Sequence, residues 1–338
     1  MKKNSLLKKF VQGKSPLLIV LILIVLAITY IVEPGSFTKG NAQQIMSLLC
    51  YLGIISVGVA CLLMCGGIDL ATSAHATFGM LLFAQLLQWG PNLPWPVAAL
   101  AAIAFGAIAG GVNAFLAQGL RLMPFIATIG MSSVWSGLAK WYTRGNTIPI
   151  RNESFSNISS ACIGNTPIPW LFVFVIAVVI LYSIVLKRTR FGRSILMVGG
   201  NPLAARLAGL HPDRVKSLLF VNNGVLAAVG GLIWASQQKM YSPTGLMAGM
   251  PEITALTASI LGGVSFIGGS GSLGGAFLGV MLIQVLEYAL QAMYLPLWFI
   301  TAVKGSLLLI ALTIDAVASR KRMKGMGMSG MAMPGMSK

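Results

Sequence analysis

Seven carboxylates, two histidines and four cysteines stand among the 338 residues, so the side chains able to do chemistry can be taken almost one by one. Asp69 is the most conspicuous. It lies in "MCGGIDLATSAHATFG", residues 64–79, between two apolar runs long enough to cross a bilayer. Such a carboxylate has two compatible readings. It caps the helix that follows, accepting from N–H groups near Ala71 and Thr72, or it faces a cavity and accepts hydrogen bonds from a polar solute, since ionisable groups inside a membrane are costly. Glu287 and Lys304 lie about seven residues either side of a turn near Tyr294 to Leu297, at similar depth on adjacent antiparallel helices, which fits an ion pair or a proton relay. Cys50, Cys61, Cys65 and Cys162 show no metal-ligand spacing, and three of them read as small buried hydrophobes. His75 and His211 are too few to build a metal site. No catalytic Cys with His, no carboxylate dyad and no metal pair falls within a recognisable motif, so a membrane-embedded enzyme has no support.

The elements that must position these residues are membrane helices. Hydrophobic residues make up 56% of the chain, charged ones 9%, and the mean hydropathy is +0.83. A hydrocarbon core needs roughly 20 apolar residues per helix. Ten candidate spans are read at residues 16–32, 45–65, 70–89, 97–118, 124–142, 170–186, 215–236, 253–268, 275–293 and 297–318, an all-α polytopic membrane protein. Two places interrupt this pattern in the same way. At Gly66 and Gly67, and again at Gly262 and Gly263 within "ASILGGVSFIGGSGSLGGAFLG", an apolar helix meets a glycine pair, then small polar residues, then another apolar helix. Unwound backbone is tolerated in a membrane only where protein or a watery cavity satisfies it, so paired interruptions point to a substrate path and to two related halves. The candidate lining residues are Asp69, Ser73, Asn113, Phe125, Thr128, Glu252, Gly263 and Ser265, with Asn113 and Phe125 equally readable as packing. Gly106 with Gly110, and Gly275 with Gly279, have the small-xxx-small spacing of close helix packing.

The formal charge of +17 orients the chain and is no sign of nucleic-acid binding. Five lysines precede residue 15, seven basic residues crowd the loop 187–216, and five follow the last span. All fall on one side when ten spans alternate, so both termini are expected in the cytoplasm. Residues 1–15 form a basic amino end, read as leading into a retained first helix rather than a cleaved signal. Residues 16–318 form the transmembrane domain, and the Met- and Gly-rich residues 319–338 a disordered tail, with Cu(I) binding by its thioethers a minor alternative. The polar loop 143–169, with N-x-Ser matches at Asn152 and Asn157, reads as an outer connector or docking surface. Within 187–216 one short helix has legible ends: Asn201 as N-cap, Pro202 at the first position, Gly209 and Pro212 at the stop. Leu203, Leu207 and Leu210 share one face, and Ala204 and Ala205 permit close approach. A helix of about two turns is unstable alone and must pack on its own domain or on another protein.

"GGIDLATS", "MPFIATIGM", "TRFGRSILMVGGNPLAARLAGL" and "EITALTASILGGVSFIGGSGSLGG", in this order, resemble the membrane permeases of ATP-binding cassette importers for monosaccharides, the ribose, galactose and xylose group. The similarity covers residues 45 to about 316. It implies a bacterial inner-membrane permease, paired with a second copy or paralogue, energised by a cytoplasmic ATP-binding subunit and fed by a periplasmic sugar-binding protein. It also implies that Asn201, Pro202, Leu203, Ala204, Ala205 and Gly209 belong to a coupling helix seated in the ATPase. The chain has no G-x-x-x-x-G-K-[ST], because Lys8 stands where the first glycine should be, so ATP would be bound by the partner. His75, Thr254 and Thr257 depart from the usual pattern of these permeases and leave the sugar unnamed. The alternative is a secondary transporter driven by an ion gradient, with Asp69, Glu252 and Glu287 as ion sites.

Overall fold

The computed structural model describes residues 14–89 and 93–325. In chain order its helices are α1 Lys14–Val32, α2 Lys39–Met64, α3 Thr72–Trp89, α4 Trp95–Ala114, α5 Pro124–Thr143, α6 Glu153–Ser160, α7 Trp170–Arg188, α8 Arg190–Gly200, α9 Pro202–Leu207, α10 Pro212–Gln238, α11 Gly245–Ala248, α12 Pro251–Leu261, α13 Leu273–Ala292 and α14 Leu297–Gly325. A π turn, Phe115–Gly119, prolongs α4. The β1 strand (Ile148–Pro149) pairs antiparallel with β2 (Met240–Tyr241).

Not all ten expected spans are matched by a helix of spanning length and apolarity. Among the described residues six helices are long and apolar enough to cross a membrane: α2, α4 with its π turn, α7, α10, α13 and α14, with a shorter apolar helix in α1. Both α3 and α5 have the length, 18 and 20 residues, but Thr72, Ser73, His75, Thr77, Gln85 and Gln88 dilute α3, and Ser132, Ser133, Ser136 and Lys140 dilute α5. The first four of these are fully buried; α3 is a central helix screened from lipid by its neighbours. The span expected at 253–268 is α12, 11 residues and so about 16 Å long at 1.5 Å per residue, followed by an irregular loop.

Both helix breaks exist, and they end in the same way. After α2, Gly66 adopts φ +72°; its N–H donates to Leu63 O and that of Gly67 to Leu62 O. After α12, Gly263 adopts φ +92°, with Gly263 N–H donating to Ile260 O and Val264 N–H to Ser259 O. Each is a left-handed C-cap of the Schellman type, which turns the chain while satisfying the last carbonyls.

Small residues set the helix spacing, as they must where lipid offers no hydrophobic drive for association. A Cβ on Gly106 would collide with Gly224 O, one on Gly110 with Phe220 O, and one on Gly279 with Ala258 O; Gly262 and Gly275 likewise touch backbone to backbone. The α10 helix thereby becomes the hub, packed on α2, α3 and α4. Glu287 and Lys304 form the expected ion pair at 2.8 Å across α13 and α14.

At the end opposite the basic loop, α6 is capped by Asn152, whose Oδ1 accepts from Phe155 N–H at 3.0 Å; buried Phe155 lies against Phe83 and Trp95. Tyr241 is buried beside it, and burial pushes its phenol up to about 12. At the basic end α14 runs on to Gly325, so the expected tail beginning at 319 is helical at its start. The amino end before residue 14 and the Met-rich stretch after 325 lie outside the described residues.

Candidate functional site

Asp69 sits where α2 has ended and α3 has not yet begun, and its buried carboxylate gathers donors from three elements. Oδ1 accepts from Ala71 N–H at 2.9 Å and from the Asn113 amide on α4 at 3.0 Å. Oδ2 accepts from the Asn223 amide on α10 at 3.1 Å. Asn223 also donates to Thr72 Oγ1, at 2.9 Å, and the Thr72 hydroxyl donates to Asp69 O. From α5, Thr128 Oγ1 accepts Leu70 N–H at 3.1 Å. His75 Nε2 lies 3.4 Å from the Asn113 amide nitrogen; that amide is turned toward Asp69, so Nε2 faces it as the acceptor and the ring proton belongs on Nδ1. The network surrounds a buried carboxyl group with hydrogen bonds from the backbone and two amides.

This arrangement sorts the predicted residues. Asp69, Asn113 and Thr128 come together. Asp69 accepts from Ala71 N–H as foreseen, but α3 starts at Thr72 with Ala71 O accepting from His75 N–H, so the bond closes a turn just ahead of the helix. Ser73, on α3, and Glu252, at the start of α12, each keep a buried oxygen without a partner. Glu252 and Leu256 on one side face Asp69 and residues 67–70 on the other across a crevice that also touches Val59 and Leu63; its free volume is about 10 Å³, room for roughly one water. Ser265 and Gly263 are not part of this cluster: they lie in the second break, where Ser265 N–H donates to Ser270 O. Phe125, at the start of α5, is 53% exposed and meets the cluster through its carbonyl, which accepts from the Thr128 hydroxyl at 3.4 Å. The two interruptions touch by backbone, Gly269 N–H donating to Met64 O at 2.8 Å. A roomier hollow, about 420 Å³, opens at the other end of the bundle beside Gln88, Arg151 and Asn152.

Sequence reading missed Asn223. The signal was present as two asparagines in the apolar run "LLFVNNGVLAAV", a polar pair that a membrane helix keeps only for a partner. Asn223 serves Asp69, and Asn222 accepts from the Tyr182 hydroxyl on α7 at 2.6 Å. Gly58 makes room for the Asn223 carbonyl: a Cβ there would stand 2.6 Å from Oδ1.

The second candidate is at the basic end. The α9 helix is shorter than read, six residues, but its ends are those expected. Asn201 Oδ1 accepts from Ala204 N–H at 3.0 Å, Pro202 takes the first position, and Gly209 turns left-handed at φ +83°. The unforeseen element is α8, whose cap is Thr189 Oγ1 accepting Gly192 N–H and whose Gly192, Ile195, Val198 and Gly199 face inward. The face reading of α9 needs amending too. Ala205 is the inward residue, 2% exposed, while Leu203 and Leu207 stand outward, 69% and 84% exposed, and Leu210 turns back onto the core. Two leucines presented to water on a helix anchored by its alanine make an apolar docking knob, the kind of exposed patch that marks a protein contact.

Among the described residues no group of three His, Cys, Asp or Glu could hold a metal ion. Residues 41–312 match the family model described as branched-chain amino acid transport system / permease component. The chain is 29% identical to the galactose/methyl galactoside import permease protein MglC of Haemophilus influenzae, over 93% of this chain and 98% of that one. It is 31% identical to the autoinducer 2 import system permease protein LsrC of Klebsiella pneumoniae, over 84% and 80% of the two chains. With the ribose import permease protein RbsC of H. influenzae it shares 27%, over 89% and 93%. No solved structure matches it.

Proposed function

The chain belongs to the family of transport-system permease components, and from that membership we propose that it is the membrane subunit of an ATP-binding cassette importer, carrying a monosaccharide or similar polyhydroxylated solute inward. The family model is described by branched-chain amino acids, but relatives similar along most of the chain are named for galactose, ribose and autoinducer 2 import, and these names favour a hydroxylated cargo. The chain contributes a path and a coupling element; ATP is bound and hydrolysed by a cytoplasmic partner, and a periplasmic binding protein delivers solute to the end that carries α6 and the β1–β2 pair. Both termini and α9 then lie in the cytoplasm of a bacterial cell, consistent with the clustering of basic residues at that end.

One observation carries the coupling assignment: Leu203 and Leu207 exposed on a short helix whose other side is fixed to the bundle. Asn201 and Pro202 set the angle at which the helix leaves α8, Ala204 lies on the outward side beside the leucines, and Gly209 ends it. The double variant Leu203→Glu with Leu207→Glu replaces the knob with charge while leaving the Ala205 anchor untouched. The expected result is loss of the ATP-binding subunit on co-purification with normal insertion in the membrane. Retention of that subunit would remove α9 from the coupling role.

For the path, Ser73 and Glu252 are the groups that meet solute, since Ser73 Oγ and Glu252 Oε2 are buried beside the crevice outside the Asp69 network, while Asp69, Asn113 and Thr128 hold one another and the loop around them. Gly263 and Ser265 act on the path through the second break, and Phe125 borders the outer face of α5. A crevice this narrow is a closed state of one copy. A second copy of the permease packs beside it. The matching faces are the exposed small residues Gly130, Ser133 and Gly137 on α5 and Ala302, Gly305 and Ser306 on α14, where an added Cβ on any of the three glycines meets nothing within 4 Å in the chain itself.

A further inference from the structure

We propose that residues 64–66, 199–200 and 268–269, three stretches of backbone in direct contact, form the transmission junction through which movement of α9 reaches both helix breaks. The proposal deepens the coupling role assigned to α9 and rests on it.

The contact leaves no room for side chains. A Cβ on Gly199 would fall onto Met64 O and lie 2.6 Å from Gly269 N. On Gly268, where φ is +99°, it would lie 2.9 Å from both Gly199 O and Gly66 N; on Gly269, at φ +77°, it would lie 2.6 Å from Gly200 Cα. The Gly269 N–H bond to Met64 O stitches the two breaks together at the same point. Side chains between helices absorb small displacements by changing rotamer, but packed backbone does not, so it passes a shift on. Here α8 presses its last turn on both breaks and is joined to α9 through Asn201 alone.

Connectivity gives that shift a destination. The crevice beside Asp69 is walled by α2 and residues 67–70 on one side and by α12, with Glu252 and Leu256, on the other. The first wall passes through Met64 and Gly66, and α12 runs on into the loop that carries Gly268 and Gly269. The far side of that loop is held by α14, where buried Asp315 Oδ2 accepts Phe266 N–H at 3.0 Å. A displacement of α8 against this fixed point therefore acts on both walls together, a two-element device of the kind by which a binding event is converted into opening.

The test uses the assembled importer, permease with its ATP-binding subunit and binding protein, in proteoliposomes. Gly199→Ala should retain the ATP-binding subunit and its hydrolysis while solute moved per ATP falls by roughly tenfold. In Gly274→Ala, outside the junction, the new methyl meets nothing within 4 Å, and uptake should stay at the wild-type level. Because Gly199→Ala can fail to accumulate, hydrogen exchange on the wild-type complex gives a second reading: peptides covering 64–69 and 265–271 should change protection with nucleotide, in step with α9. Unchanged transport per ATP in Gly199→Ala, or break segments indifferent to nucleotide while α9 responds, would overturn the junction and leave the docking assignment standing. An α9 that does not respond to nucleotide would instead withdraw the docking assignment itself.

Discussion

Asp69 is held by three hydrogen-bond donors, so truncating it leaves one N–H of each of the buried Asn113 and Asn223 amides without its acceptor. Each buried donor left alone costs about 1–3 kcal/mol, and Asp69→Ala should lower the melting temperature in detergent markedly; an unaltered melting curve would show that the cluster is not the pin described. Gly58→Ala adds only a methyl, but the methyl would stand 2.6 Å from Asn223 Oδ1 and should weaken the same cluster. Gly130→Ala, with open space around it, should leave the single chain's stability unchanged. At this scale the sequence disclosed the Asp69 bond to Ala71 because that bond is local. It concealed the bond to Asn223 because 154 residues separate the partners, and no spacing rule spans that distance. The exposure of Phe125 was hidden for a related reason, since residue type alone does not say which way a ring at a helix start will face.

Among the elements, α9 was legible at its ends and misjudged on its faces. Asn201, Pro202 and Gly209 act through their own backbone, so their roles follow from residue type. Which alanine turns inward depends on α8, and α8 was overlooked because an 11-residue helix bearing Arg190 and Arg193 reads as a charged loop. The difference has a measurable consequence. Ala205→Glu would drive a carboxylate into the chain's own core and should reduce the amount of folded protein, whereas the Leu203→Glu and Leu207→Glu pair should spare folding and abolish capture of the ATP-binding subunit. The Glu287–Lys304 bridge gives a further check on element pairing. Lys304→Met leaves Glu287 unpaired and partly buried and should destabilise the protein, while adding Glu287→Leu should restore most of the loss, as expected when breaking a sheltered pair is worse than replacing it. Failure of the second change to rescue would mean that the bridge does more than hold α13 to α14.

At the scale of the whole molecule, apolar runs announced the long helices and the paired glycines announced both breaks. The count of ten is not confirmed, because α12 is only 11 residues long and packs on α2 and α13, and because α3 keeps its polar residues inside the bundle, where a reading of average apolarity misjudges them. The central claim is that this chain moves a solute only when a separate ATP-hydrolysing subunit acts on α9. The most direct measurement is uptake of radiolabelled sugars, galactose and ribose among them, into proteoliposomes holding the permease with its binding protein, with and without the ATP-binding subunit, each under ATP or under an imposed proton gradient. The account predicts uptake of at least one sugar with the ATP-binding subunit and ATP together, and none from the gradient. Accumulation by the permease in the absence of that subunit, rising with the proton gradient, would contradict it.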